Sequence, residues 1–246
     1  EKAVKMAEKN NCSKIFFVNG LCDESARFYR VFETLKASFG PSVCPVVVPY
    51  IVDGKANCYV NLLEYRAYIY DDEGKISPTA MPDMGDRLGG LRTAIYEAVA
   101  ETSEELFEKY FSGEEFTPEE VIMGVSNGVK EGTISPVFCG DAQNTFGIDQ
   151  LLNGLTWLAP SAAEKAEEIG TDTDGEPVEL TVNENAATAA IVFKTVVDPF
   201  VGKMSYFKVV SGKVNADSTL YNMRTGENER IGKVMVVKGK KQEEME

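Results

Sequence analysis

The chain has 246 residues, 43% of them hydrophobic and 26% charged, a composition typical of globular proteins with one large domain or two modest ones. Its formal net charge of −14 at pH 7 opposes binding to phosphate backbones, so we expect no extended sequence-specific binding of DNA or RNA unless a basic patch is segregated. The chain contains no histidine, which excludes Ser-His-Asp and Cys-His catalysis and histidine ligation of metals.

Neither a membrane segment nor a cysteine framework is predicted. No apolar stretch approaches the roughly 20 residues needed to span a bilayer, and the first residues do not have the pattern of a signal peptide. We therefore expect a cytoplasmic protein. The cysteines are odd in number and widely spaced, which favours reduced thiols over disulfides or a zinc site: Cys12, Cys22, Cys44, Cys58 and Cys139.

The first part of the chain predicts a helix, a strand, a loop and a second helix. Residues 2–9 have helical composition with no capping residue before them, so we expect the chain to begin inside a helix and to be part of a longer protein. Residues 13–18 are typical of a buried parallel strand, and the turn pair Asn19-Gly20 ends it. Residues 26–39 place apolar side chains on one helical face. This order favours a functional site at the C-terminal end of the strand.

The next part predicts strands and then mostly helix. Residues 45–50 are an apolar run, and residues 58–70 alternate as a strand does. Residues 87–111 are a long acidic amphipathic helical region. The sequence Thr117-Pro118-Glu119-Glu120 resembles a helix start with proline in its first turn.

Residues 134–139 predict another short strand, and residues 149–158 predict a helix that contributes Trp157 and Leu158 to the core. Strands and helices alternate here, with a sizeable insertion between strands. The pattern indicates an α/β fold.

The last third of the chain changes to a β pattern. Residues 162–185 are polar, acidic and rich in threonine, which predicts a linker with a hairpin around Asp174-Gly175. Beyond it, turn signals separate strand-like segments in the manner of a small β-barrel. These segments are residues 189–197, 203–210, 219–222 and 229–237.

A long block, DPFVGKMSYFKVVSG at residues 198–212, is similar to the start of the second domain of elongation factor G. Shorter segments agree with the same family in order and spacing. They resemble the strand and helix around its Asn-Lys-x-Asp motif (17–19 and 28–31), its inserted subdomain (110–115 and 130–133) and the strand before its last guanine-contacting loop (136–140).

The resemblance implies a division of the chain into parts of a translational GTPase. The implied fold is an α/β, partial P-loop GTPase G domain with an α+β inserted subdomain, followed by a small, incomplete translation-factor β-barrel. The implied bounds are 1–45 for the guanine-side strand and helix, 46–130 for the inserted subdomain, 131–161 for the end of the G domain, 162–185 for a linker and 186–246 for part of the barrel.

The guanine-binding motifs implied by the family are altered in this chain. In Asn-Lys-x-Asp, the asparagine braces the loop, the lysine stem covers the base and the aspartate accepts two hydrogen bonds from guanine. Asn19 is kept, but Gly20 replaces the lysine and Cys22 replaces the aspartate, with Asp23 one position late. A thiol is a poor acceptor for two donors.

The family's last guanine-contacting loop, Ser-Ala-Leu or Ser-Ala-Phe, aligns with Asp141-Ala142-Gln143, so only the alanine is kept. The resemblance gives Asn19, Asp23, Asp141, Ala142 and Gln143 as the candidate nucleotide-binding residues. It gives no catalytic or metal-binding residue.

Simpler interpretations of these residues stay open. Asn-Gly favours a tight turn in any protein, which would explain Asn19 without a nucleotide. Asp23 either contacts the base after a one-residue shift of the loop or is a solvated loop acid, the commoner fate of such residues. Cys22 has no histidine or cationic cluster beside it in sequence, so a neutral filler is favoured over a nucleophile.

The phosphate-binding machinery is not found in this sequence. A P-loop needs Gly-Lys followed by Ser or Thr, and every Gly-Lys pair here is followed by another residue, as in Gly54-Lys55-Ala56 and Gly202-Lys203-Met204. We therefore expect GTP and Mg²⁺ to bind through a part of the parent protein outside this chain. The chain alone is expected to bind no cofactor and to have no catalytic activity.

The leading hypothesis is a fragment of a ribosome-associated, elongation factor G-like GTPase, either a translocase or a divergent paralogue. The alternative is a non-catalytic, ribosome-binding or regulatory paralogue that no longer binds GTP, as Gly20 and Cys22 would suggest. The expected partner of the parent protein is the ribosome, with no DNA and no membrane. The fragment itself is expected to self-associate through open sheet edges.

Overall fold

The computed structural model describes residues 1–164, 167–199, 202–239 and 241–245. The chain divides into two compact units, Glu1–Pro160 (unit 1) and Ser161–Glu246 (unit 2). Unit 1 is described in full. In the described parts of the chain, no helix has both the length and the apolar character needed to cross a membrane.

Unit 1 is a mixed α/β unit. Its helices are α1 (Lys2–Lys9), α2 (Phe28–Phe39), α3 (Asp86–Ala100), α4 (Glu104–Phe111), α5 (Pro118–Glu131) and α6 (Ile148–Leu158). Its strands are β1 (Phe16–Val18), β2 (Val43–Pro45), β3 (Val47–Val52), β4 (Lys55–Asn61), β5 (Arg66–Tyr70), β6 (Ile76–Thr79) and β7 (Ser135–Cys139).

A three-stranded parallel sheet in the order β1-β7-β2 forms the centre of unit 1. All five residues of β7 are buried, as expected for a strand covered on both faces. Two glycines let helices pack closely against β7 and against the residue that precedes it. A Cβ at Gly154 of α6 would overlap the Phe138 ring, and one at Gly128 of α5 would lie 2.5 Å from Ile134 Cδ1.

A four-stranded antiparallel sheet in the order β3-β4-β5-β6 continues from the parallel sheet. Val46, between β2 and β3, donates its N–H to Val137 O (2.9 Å) and accepts a hydrogen bond from Leu62 N–H (2.8 Å). These two bonds tie the sheets together. Helices α3 and α5 contribute the buried Ile95, Val99 and Val125 to the same core.

Several predicted elements of unit 1 are confirmed with changed bounds. The predicted helix at 87–111 is two helices, because Ser103 caps α4 by accepting a hydrogen bond from Leu106 N–H (3.2 Å). The predicted strand at 58–70 is parts of β4 and β5 joined by a turn. The predicted start of α5 is confirmed as a capping box in which Thr117 and Glu120 bond reciprocally.

The prediction for the end of α6 was half right. Leu158 is fully buried, but Trp157 is 39% exposed. A helix that covers one side of a sheet buries only one stripe of side chains, and two neighbours in sequence cannot both lie at its centre.

Unit 2 consists of short antiparallel ladders. Its strands are β8 (Glu167–Thr171), β9 (Pro177–Thr181), β10 (Ala189–Asp198), β11 (Gly202–Ser211), β12 (Thr219–Asn222), β13 (Glu227–Arg230), β14 (Met235–Lys238) and β15 (Lys241–Glu244). They pair as β8-β9, β10-β11, β12-β13 and β14-β15.

The predicted hairpin around Asp174-Gly175 is confirmed, since β8 and β9 pair across that turn. The predicted strand at residues 229–237 is wrong in its continuity, because residues 231–234 separate β13 from β14. The coarse α/β class is confirmed. The finer G-domain and barrel assignments, and the five predicted bounds, stay predictions beside the observed division after Pro160.

Candidate functional site

Two loops meet at the C-terminal edge of the parallel sheet. The Asn19 loop (residues 19–27) follows β1, and the Asp141 loop (residues 140–147) follows β7. Because β1 and β7 are parallel neighbours, with Val18 paired to Cys139, the two loops leave the sheet side by side. Ligand sites of α/β proteins are common at this edge of a parallel sheet.

Main-chain hydrogen bonds join the two loops at their base. Gly140 N–H donates to Val18 O (3.1 Å), and Leu21 N–H donates to Gly140 O (3.1 Å). A Cβ at Gly140 would overlap Phe146 O within the Asp141 loop and lie 3.0 Å from Phe17 Cζ of β1, so this position requires glycine. These main-chain hydrogen bonds hold the two loops together independently of their side-chain contacts.

Asn19 makes one of the side-chain hydrogen bonds between the two loops. Its Oδ1 accepts a hydrogen bond from Ala142 N–H at 2.8 Å, between residues 123 positions apart in the chain. Gly20 follows with φ of +79°, a left-handed conformation that glycine adopts at no steric cost. The structure therefore brings the predicted Asn19 and Ala142 together.

Asp141 is the most heavily bonded side chain of the site. It is 5% exposed, its Oδ2 accepts from Cys22 N–H (3.2 Å), and its Oδ1 accepts from Asn144 N–H (3.0 Å) and Asn144 Nδ2 (2.9 Å). Burial opposes the charge, but the hydrogen bonds outweigh it and lower the pKa of Asp141 below its ordinary value. Asp141 is therefore an ionised brace between the loops.

Asp23 and Gln143 lie in the same loops, but not in this network. Asp23 Oδ1 accepts hydrogen bonds from Ser25 N–H (2.7 Å) and Ser25 Oγ, which lower the pKa of Asp23. This local Asx turn directs the carboxylate back into its own loop. Gln143 is exposed at the tip of the Asp141 loop.

Cys22 is the residue that the resemblance aligns with the base-reading aspartate of Asn-Lys-x-Asp. Its side chain is exposed, and its thiol pKa is raised, first by desolvation and then by the nearby charge of Asp141. The thiol is therefore neutral at pH 7. It offers a weak acceptor where a carboxylate would offer a strong one.

Sequence reasoning missed Asn144 and the Cys22 amide as partners of Asp141. The Asp-x-x-Asn spacing was the available signal, because an aspartate that bonds the amide of a nearby residue is a common turn motif. The bond to Cys22 N–H joins distant residues, so only the sheet pairing reveals it. In the described residues, no cluster of three or more metal-ligating side chains is present.

Comparison with known proteins finds two similarities, one to a family model and one to a solved structure. The family model of elongation factor G domain 2 matches residues 187–246, most of unit 2. Over the whole chain the fold is similar to a crystal structure of a protein from Thermus thermophilus, with a TM-score of 0.80 and 26% sequence identity. That match covers 100% of this chain and 34% of the Thermus chain, so this chain spans about a third of its length. The similarity to elongation factor G is therefore carried by residues 187–246, and the similarity over the whole chain is one of fold.

Proposed function

We propose that this chain is part of a GTP-dependent translation factor that acts on the ribosome in the cytoplasm. In this proposal unit 1 carries the guanine side of the nucleotide site, with residues 46–130 as the inserted subdomain. Unit 2 belongs to the translation-factor barrel. The family match over residues 187–246 and the whole-chain fold similarity support this assignment.

The bond from Ala142 N–H to Asn19 Oδ1 is the observation that carries the proposal. It joins two loops at the edge of the sheet where α/β proteins bind ligands. The resemblance gives Asn19 this bracing role. A turn residue with no such role would have no need to bond the opposite loop.

The loops fit a guanine base only in part. Asn19 and Asp141 brace the framework, but position 22 has a neutral thiol, and the Asp141 carboxylate is already engaged by three donors. Neither group offers a free carboxylate to the two guanine donors. We therefore propose that the full-length protein binds the guanine base with weak selectivity.

In this proposal, the residues that bind the phosphates and Mg²⁺ lie outside these 246 residues. No Gly-Lys pair is followed by Ser or Thr, so no residue of the chain is assigned to the phosphates or to Mg²⁺. When GTP is bound, the phosphate-binding part of the full-length protein would supply phosphoryl transfer to water, and unit 1 would orient the base.

The test is phosphate release from GTP with and without ribosomes. We expect ribosome-dependent release by the full-length protein, a KM for GTP raised more than tenfold by Asn19→Ala, and no release by the 246-residue chain. Turnover by the chain that Asn19→Ala abolishes would contradict the assignment of the phosphate side.

A second candidate is a ribosome-binding paralogue that no longer binds GTP. The Asx turn that engages Asp23 with Ser25 favours it, because this aspartate is then not directed at a base. If the full-length protein binds ribosomes but neither binds nor hydrolyses GTP, this second candidate replaces the first.

Self-association of the chain stays a prediction. Strand β1 lies at one end of the order β1-β7-β2 in the fully described unit 1, so one of its edges pairs with no strand there. Open edges of this kind invite pairing with a second chain. Light scattering that shows a strict monomer at high concentration would contradict it.

A further inference from the structure

The Asp141 loop rests on a hairpin from the antiparallel sheet. The turn between β5 and β6 (residues 71–75) is closed by Asp71, whose Oδ1 accepts from Glu73 N–H (3.0 Å) and Lys75 N–H (2.8 Å). At its tip, Gly74 contacts the opposite loop so closely that an added Cβ would overlap Thr145 Oγ1 and lie 2.9 Å from Asn144 O. The turn therefore packs against the Asp141 loop at Asn144 and Thr145.

Tyr70, the last residue of β5, makes the second contact. Its ring stacks on Phe146 with centroids 5.3 Å apart and an interplanar angle of 20°. Its hydroxyl donates to Asp149 Oδ1 (2.6 Å) and accepts from Gln150 Nε2 (3.3 Å), both in the first turn of α6. Tyr70 thus contacts the end of the Asp141 loop and the helix that follows it.

These contacts hold Phe146, and through it Asp141 and Ala142 of the candidate site, in position. Phe146 and Asp141 exchange two main-chain hydrogen bonds (2.8 and 2.9 Å), so a displaced Phe146 would move Asp141 and its neighbour Ala142. Thr145 is also held at φ of +63°, an uncommon conformation for a β-branched residue that its surroundings must maintain.

We infer that Gly74 and Tyr70 are positioning residues, through which the β5–β6 hairpin holds the Asp141 loop where Ala142 N–H meets Asn19 Oδ1. The consequence for nucleotides rests on the proposed function. If the two loops bind a base, the antiparallel sheet sets the affinity for it. The loop geometry itself is tested without any nucleotide.

The first experiment compares Gly74→Ala with Gly54→Ala. Both glycines lie in hairpin turns of the same sheet with nearly equal φ (+79° and +80°), but an added Cβ at Gly54 meets nothing within 4 Å. Backbone strain is therefore matched, and only Gly74→Ala pushes against the loop. The readout is amide hydrogen exchange at Ala142 and Cys22 in the 246-residue chain.

We expect Gly74→Ala to speed exchange at both amides by at least tenfold, with Gly54→Ala within twofold of wild type. Exchange in β7 should stay unchanged, which separates a local displacement from global loss of structure. Adding Thr145→Gly, which removes the overlapping hydroxyl, should restore part of the protection. Equal effects of Gly74→Ala and Gly54→Ala at Ala142 and Cys22 would overturn the inference.

A second readout follows the thiol of Cys22, in a Cys12→Ser background that removes the other exposed cysteine. If Gly74→Ala or Tyr70→Leu moves Asp141 away, the pH profile of Cys22 alkylation should shift towards lower pH. Tyr70→Phe, which keeps the ring stack, should shift it less. An unchanged profile in both Gly74→Ala and Tyr70→Leu would count against positioning.

The effect on GTP affinity is measured in the full-length protein. Gly74→Ala is expected to weaken GTP binding at least threefold relative to Gly54→Ala. If the amides of Ala142 and Cys22 are displaced but the GTP affinity is unaltered, the inferred dependence of base binding on the Asp141 loop is overturned. A wild-type protein that does not bind GTP would contradict the proposed function, while the amide result would still decide the positioning of the loop.

Discussion

The two units of the chain differ sharply in burial. Unit 1 has a continuous core of buried aliphatic and aromatic side chains from both sheets and from α2 to α6. In the described part of unit 2, Ser211 is the one buried residue, while large apolar side chains such as Phe193 (67% exposed) and Val197 (76% exposed) face outwards.

This difference in burial indicates that the two units are stabilised in different ways. Unit 1 has enough buried apolar surface for a stable fold, since burial contributes about 25 cal/mol per Å² of apolar area. The ladders of unit 2 rely on main-chain pairing, and isolated two-stranded hairpins are marginal in water. The candidate site lies entirely in the unit with the core, which gives its loops a rigid base.

The largest effect is expected from removing a core ring of unit 1. Phe138 is 1% exposed and packs directly against Gly154, so Phe138→Ala should lower the free energy of unfolding of unit 1 by about 3–5 kcal/mol. The matched change Phe193→Ala in unit 2 should cost within about 0.5 kcal/mol. Urea unfolding followed by Trp157 fluorescence measures the first, and amide exchange in β10 and β11 measures the second. Equal losses would contradict the comparison.

The charge on Asp141 should contribute the next largest effect. Asp141→Asn replaces an ionised acceptor with an amide that cannot satisfy all three donors, which should cost about 1.5–3 kcal/mol at pH 7. The control is Asp72→Asn, an exposed aspartate of the same unit.

The pH dependence of this loss has a definite sign. The folded-state pKa of Asp141 is below the value of about 3.9 for an unfolded aspartate. Its stabilisation is therefore complete above that pH and is lost as the pH falls through the lowered pKa. The stability gap between wild type and Asp141→Asn should be constant from pH 7 to about 5 and should shrink below about 4. A gap that widens in acid would refute the ionised brace.

Crowding at a helix glycine should give a smaller effect. A Cβ at Gly128 would lie 2.5 Å from Ile134 Cδ1, so Gly128→Ala should destabilise unit 1 by about 1–3 kcal/mol, partly offset by better helix propensity. Gly89→Ala, where an added Cβ meets nothing within 4 Å, should instead stabilise by about 0.5–1 kcal/mol. Thermal unfolding of both variants checks the contrast in sign.

The sequence predicted the elements of unit 1 better than their ends. Apolar runs and periodicity located the buried strand β7, the partly buried strand β1 and most of the helices. It merged α3 with α4, since Ser103 interrupts the region with a cap and leaves the apolar pattern intact. It also placed Trp157 in the core, since composition alone does not give the rotation of a helix about its axis.

The parts of the candidate site that directly follow a strand in the sequence were predictable. Asn19 and Ala142 follow strands that the apolar runs identify, and the resemblance placed them in facing loops. The support from Gly74 and Tyr70 was not predictable, because it depends on how a hairpin about 70 residues away in sequence folds against the loop. Asp23 could not be assigned either, since its bond to Ser25 competes with any ligand.

Guanine selectivity of the full-length protein is the property that depends most directly on the side chain at position 22. Calorimetry should compare GTP with xanthosine and inosine triphosphates for the wild type and for Cys22→Asp. We expect a blunted preference for GTP in the wild type and a gain of tenfold or more in Cys22→Asp, since each charge-assisted hydrogen bond to guanine is worth about 1.5–3 kcal/mol. A strong wild-type preference for GTP that Asp23→Ala removes would contradict it, because Asp23 would then read the base in place of position 22.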